Sequence, residues 1–143
     1  MSNFSQFMKA NKIQKENTTF AATKSLVDEK GEPLKWTIKP LTTKENENIR
    51  DNCMIEVPVK GKVNMFRPKL DTSKYLIKML CASVVEPNLY SKELQDSYGV
   101  MTPEELLMEM VDDPGEYQGF VAFVQEFNGF NTTLNDKVEE AKN

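Results

Sequence analysis

The stretch Ser73–Val85, SKYLIKMLCASVV, constrains this chain more than any other. On a helical wheel Leu76, Ile77, Leu80, Cys81, Val84 and Val85 share one broad face, and Tyr75, Met79 and Ala82 cover most of the remainder. The only charges, Lys74 and Lys78, stand four apart on one narrow edge. A helix this apolar around its circumference has to be enclosed by protein or by lipid. It is far shorter than the ~20 apolar residues that a bilayer span needs. The segment therefore reads as a central core helix, with Asp71, Thr72 or Ser73 available to cap its start and Pro87 to end it.

The chain before this helix reads as β-structure. Thr18–Val27 places Phe20, Ala22 and Leu26 at even spacing, and Asp28-Glu29-Lys30-Gly31-Glu32-Pro33 is a turn cluster. Leu34, Trp36 and Ile38 then alternate with Lys35, Thr37 and Lys39, the clearest period-two pattern present. The two runs predict an antiparallel hairpin with one apolar face. Trp36, the one tryptophan, is expected as an anchor between hairpin and helices, with a partner hot spot as the alternative. Thr42-Thr43-Lys44-Glu45 is a capping box and predicts a polar helix with Ile49 and Cys53 turned inward, ending near Asn52. Met54–Val59 alternates again, but Pro58 denies a ladder hydrogen bond, so an edge strand or extended loop is expected. Lys60-Gly61-Lys62 turns it, and Val63 and Met65 are the residues expected to return.

After the core helix the reading is helical throughout. Ser91–Tyr98 makes a short helix closed by Gly99. Thr102-Pro103-Glu104-Glu105 supplies cap, first-turn proline and reciprocal glutamate for the next, which carries Leu106, Leu107, Met108, Met110 and Val111. Asp113-Pro114-Gly115-Glu116 repeats that grammar, and Tyr117, Phe120, Val121, Val124 and Phe127 form a stripe at helical spacing. Asn128-Gly129 ends it, and Thr132 or Thr133 starts a final amphipathic helix with Leu134, Val138 and Ala141 on one side. The expected class is α+β: an N-terminal antiparallel β-hairpin module, or a small sheet of three to four strands, packed on a C-terminal bundle of four to five α-helices. Residues 1–17 form a polar N-terminal segment, 18–130 a single domain (hairpin module 18–70, helical part 71–130), and 131–143 the terminal helix.

Composition weighs against several function classes, though catalysis by Asp, Glu, Lys or Tyr stays open in principle. Twenty-two acidic residues against 18 basic give a net charge of -4, which supplies no drive toward nucleic acid. Histidine is absent, so the commonest general base and zinc ligand are missing. Cys53 and Cys81 read as reduced, buried thiols, not a disulfide or metal pair. No apolar run follows a basic start, so no signal peptide is expected, and no membrane span. There is no glycine-rich phosphate loop, nucleophile elbow or Cys-x-x-Cys. Helix capping accounts for Glu104-Glu105 and Asp112-Asp113 without a metal. Lys60, Lys62, Arg67 and Lys69 read as a solvated loop, with a phosphate-binding patch as the functional alternative. No catalytic, cofactor-binding or metal-binding residue is assigned.

Binding is what the sequence leaves. A two-turn helix has difficulty burying Leu106, Leu107, Met108, Met110 and Val111 at once, and Met101 stands just ahead of it; the helix is either sandwiched in the core or offers a partly exposed groove or self-association surface. Methionine surfaces adapt to varied apolar partners. Leu134 and Val138 on the terminal helix, and Phe4, Phe7 and Met8 on one side of a short N-terminal segment, are further candidate docking residues.

The runs LKWTIKPLTTKENENIRDNC, LDTSKYLIKMLCASVVEPNL and SKELQDSYGVMTPEELLMEMVDDPGEYQGFVAFVQEFNGF resemble the XkdN-like family of phage tail assembly chaperones, over residues 17 to 142. The marks are Leu34–Leu41, LQDSYGVM at Leu94–Met101, and the PGEY…NGF block at Pro114–Phe130. The resemblance implies a small non-catalytic protein of phages and prophage-like elements, acting in the host cytoplasm. It implies binding to the tape measure protein, delivery to tail tube protein, and absence from the mature virion. Self-association is a further expected partnership. The rival reading is a structural tail or connector protein retained in the virion.

Overall fold

A computed structural model describes residues 3–130. Its framework is a three-stranded antiparallel sheet in the order β1-β2-β5, formed by Thr18–Phe20, Trp36–Ile38 and Val84–Glu86. Five helices and a separate two-stranded hairpin complete the described chain: α1 (Thr43–Asn52), α2 (Thr72–Ser83), α3 (Lys92–Ser97), α4 (Pro103–Met110), α5 (Pro114–Phe127), with β3 (Met54–Pro58) against β4 (Phe66–Leu70). The α+β expectation holds in this architecture.

The expected hairpin forms with Thr18 opposite Ile38 and Phe20 opposite Trp36. Its buried face is Trp36 and Ile38, as the period-two pattern requires, while Leu34 is exposed. The first strand is shorter than predicted, because the chain after Phe20 leaves the ladder; only a single bridge, Val27 with Pro33, follows it. The departing segment is held instead by side chains. The buried Thr23 hydroxyl donates to Glu116 Oε1 at 2.8 Å, and the Lys24 amide donates to Glu116 Oε2 at 2.7 Å. Glu116 lies in the first turn of α5, so one carboxylate fastens a loop to a helix start.

α2 is the central helix. Asp71 is its N-cap, and Tyr75, Met79, Leu80, Cys81 and Ser83 are buried along it. It ends two residues earlier than the apolar pattern suggests: Val84 turns extended and becomes the first residue of β5. The reason is the free side of β2, which pairs with Glu86 and Val84. Lys39 N donates to Ser83 O at 2.8 Å, locking the helix end to the sheet. The core then closes from the other side with Phe120 and Val124 of α5. Phe120 stacks on Phe20 at 5.6 Å and meets Trp36 edge-on at 5.7 Å.

The helix starts follow the predicted caps. Thr42, Ser91, Thr102 and Asp113 each accept a backbone N–H in the first turn, and Thr42 with Glu45 forms the full capping box. α5 ends with Gly129 at φ 84° and with the Phe130 amide donating to Gln125 O at 2.9 Å, the six-to-one bond of a glycine C-cap.

The second hairpin differs from expectation. The returning strand is Phe66–Leu70, not Val63 and Met65, because the connection runs from Val59 to Met65 and is closed by Val59 N donating to Met65 O at 2.8 Å. Gly61 at φ 80° and Asn64 at φ 60° make that turn possible. Between Met54 and Leu70 only Val57, Val59 and Leu70 are half-buried and the rest is exposed. The hairpin is thus an arm that projects from the body, joined at its base by Asp71 N donating to Cys53 O at 2.8 Å.

Candidate functional site

The reactive groups of the interior are bound up in structure. Burial pushes the Cys81 thiol up to about 12, so it stays protonated and is a poor nucleophile. Cys53 is a free, buried thiol as well. Burial likewise raises Tyr75, whose hydroxyl donates to Asn46 Oδ1 across the α1–α2 contact, and Tyr117. Lys78 on α2 donates to Glu104 on α4 at 2.8 Å. That bond raises the lysine; burial, the largest single effect, pushes the Glu104 carboxyl up, but the Lys78 bond, a backbone hydrogen bond and the lysine's charge together outweigh it, and the group lies below its ordinary value. Among the described residues no group of three or more His, Cys, Asp or Glu is placed to hold a metal ion. Every buried side-chain N or O atom among them has a hydrogen-bond partner.

Apolar surface is what remains. Of the Met-rich helix, Leu106, Leu107, Met110 and Val111 are all core residues with 5% exposure or less. Their side chains have almost no free surface in this conformation. An eight-residue helix manages it because α4 packs on α2, where Lys78 and Glu104 bond, while Met110 shares the lining of one depression with Trp36. Met108, 53% exposed, and Met101, 87% exposed, are the two of this group at the surface. At the N-terminus the chain forms two short 3-10 turns, Ser5–Phe7 and Lys9–Asn11, broken at Met8, and Phe4, Phe7 and Met8 are all exposed. The segment is fixed further along by Lys15, whose ammonium lies 4.2 Å over the Phe127 ring. Leu134 and Val138 lie outside the described residues.

Sequence reasoning missed a groove. An open depression of about 500 Å³ lies at the β2–β5 end of the sheet, walled by Leu26, Trp36, Pro87, Leu94, Tyr98 and Met110. Lys35 and Glu86 stand at its margin with Leu34. Its walls come from segments far apart in sequence, so no local pattern announces it; the available hint was Leu34, an apolar residue on the predicted hairpin face. The groove is apolar with a cation and an anion at its edge, which suits a non-polar side chain entering from a polypeptide.

Residues 4–142 match the model of the phage XkdN-like tail assembly chaperone proteins. The phage-like element PBSX protein XkdN of Bacillus subtilis (strain 168) is 29% identical over 137 residues, 96% of this chain and 91% of the relative. The uncharacterized protein YqbN of the same strain is 28% identical over the same shares. The crystal structure of the protein yqbn superposes with a TM-score of 0.73 at 22% identity, over 92% of this chain and 99% of that one, a likeness of fold. This chain belongs to the phage XkdN-like tail assembly chaperone family.

Proposed function

We propose that this protein binds the tape measure protein of a phage tail and keeps it soluble until tail tube subunits enclose it, without catalysing a reaction. A tape measure chain is long and helical, with apolar segments that aggregate if left bare. The observation that carries the reading is the apolar groove beside Trp36, together with the exposed Met108 of a firmly packed helix and the exposed Met101 just ahead of it. A helical client offers side chains at i, i+3 and i+4, and such a groove accepts one or two of them. Contacts of that size are weak singly. Many copies along one client add to a firm coat that still releases. On this reading the protein acts in the host cytoplasm and is left out of the finished particle.

Co-expression with tape measure fragments is the test. Expected are co-elution and a larger soluble yield of the fragment, both reduced by Leu34→Ser with Met108→Ser. A client that neither co-elutes nor gains solubility sinks the proposal.

A further inference from the structure

Two regions of this chain carry net charge of opposite sign. The β3–β4 arm carries Lys60, Lys62, Arg67 and Lys69 against Glu56, a net charge of +3 in a protein whose net charge is -4. Residues 87–130, which hold α3, α4 and α5, carry nine carboxylates against Lys92 alone, a net charge of -8. None of the four arm cations forms an ion pair among the described residues, whose two ion pairs are Lys39–Glu45 and Lys78–Glu104.

Each surface also carries unburied apolar side chains. The arm register sets Ile55 opposite Lys69 and Val57 opposite Arg67. Paired residues of an antiparallel ladder point to the same side. One arm face is therefore mixed apolar and cationic, and Met65, 50% exposed, extends it toward the tip. On the body, the outer side of α4 shows Glu105, Met108 and Glu109, with Met101 just before the helix and Asp112 just after it, all exposed. That face is mixed apolar and anionic. Neither surface is covered among the described residues: Met101 is 87% exposed and Val63, at the arm tip, is also 87% exposed. Strands of five residues at about 3.4 Å each carry the tip roughly 17 Å from its base, far enough to reach another molecule.

We infer that the β3–β4 arm of one copy docks on the outer face of α4 in a second copy, so that the protein self-associates head to tail. The two patches are different, so the contact is heterologous and each docked pair leaves one arm and one α4 face unused. Growth continues beyond a dimer. Exposed ion pairs are screened at about 10 Å in 0.1 M salt, so association falls steeply as salt rises. The face shares Met101 and Met108 with the proposed client surface, whereas the arm belongs to self-association alone, so the arm variant tells failure of this inference from failure of that reading.

Sedimentation of the full chain over a concentration series, at low and high salt, tests it. The expected result is a concentration-dependent rise past the dimer in low salt, weakened about tenfold or more at roughly 0.5 M salt. An arm variant (Lys60→Gln, Arg67→Gln, Lys69→Gln) and a face variant (Met108→Ser, Glu109→Gln, Asp112→Asn) each stay monomeric, with unchanged far-UV circular dichroism. Mixed together they form a one-to-one dimer and stop, because one intact arm meets one intact face. Wild-type protein that remains monomeric in low salt overturns the inference and leaves the arm to a different acidic partner. Association that survives the arm changes, or a mixture that does not pair, overturns it equally.

Discussion

Replacing Phe120 with alanine removes the ring on which the sheet and α5 meet. Phe120 is fully buried, lies 5.6 Å from the Phe20 ring and meets Trp36 edge-on at 5.7 Å. The cavity cannot collapse easily, since Trp36 is held in the central strand of the sheet and Phe20 is stacked on Phe123 at 4.2 Å. Truncation of a buried phenylalanine costs about 3–5 kcal/mol. Two lost ring contacts, each worth about 0.5–1.5 kcal/mol beyond area, place this site at the upper end of that range. Against a total stability of about 5–15 kcal/mol the variant keeps between almost none and about two-thirds. With a urea slope near 2 kcal/mol per molar, the midpoint falls by about 2 M. Urea unfolding followed by far-UV circular dichroism reads this directly, and Trp36 fluorescence reports the same transition from inside the site. Met108→Ala, at an exposed position of α4, is the control and is expected to shift stability by less than about 0.5 kcal/mol. A Phe120→Ala loss under about 1 kcal/mol, or one equal to the control, refutes the placement of the core.

The remaining predictions rest on single contacts. Thr102→Ala removes the side chain that accepts the Glu105 amide at 3.1 Å and is expected to cost about 1 kcal/mol in thermal or urea unfolding, with Thr102→Ser close to wild type. Glu104 lies below its ordinary value of 4.5 in the folded state, so its contribution is present above that value and lost as pH falls through the folded one; Glu104→Gln should flatten the acid limb of the stability curve below about pH 4.5. Lys78 is raised above 10.5, so its contribution is present below 10.5 and lost as pH rises through the folded value, and Lys78→Met should flatten the alkaline limb. Cys81, with its thiol near 12 and buried, should react with iodoacetamide at pH 8 at least ~10³-fold more slowly in the native protein than in urea, as read by mass spectrometry.

The legible parts of the fold were those with a local physical signature. Thr42, Thr102 and Asp113 cap helices because their side chains replace missing backbone partners within three residues, a signal that needs no tertiary context. Trp36 and Ile38 declare a buried strand face by alternation. What escaped depended on neighbours distant in sequence. Val84 and Val85 continue the apolar period of α2, and only the unpaired side of β2 draws them into a strand. Arg67, Pro68 and Lys69 carry no strand signal of their own, yet the edge of Met54–Pro58 pairs with them. The same limit governs the surface. Leu106, Leu107, Met110 and Val111 are enclosed from more than one direction, which a helical wheel cannot report, whereas Met101 and Met108 stay outside. The groove is assembled from loop, strand and two helices and has no counterpart in any one stretch.

The central claim concerns transient cover for an apolar client, and affinity capture of the full-length chain from phage-induced cells, quantified by mass spectrometry, tests it most directly. The account predicts that tape measure protein dominates the captured material, with several copies of the chaperone per client, while tails purified from the same culture hold no more than traces of it. Capture without tape measure protein, or full stoichiometry of this chain in the purified tails, would contradict it.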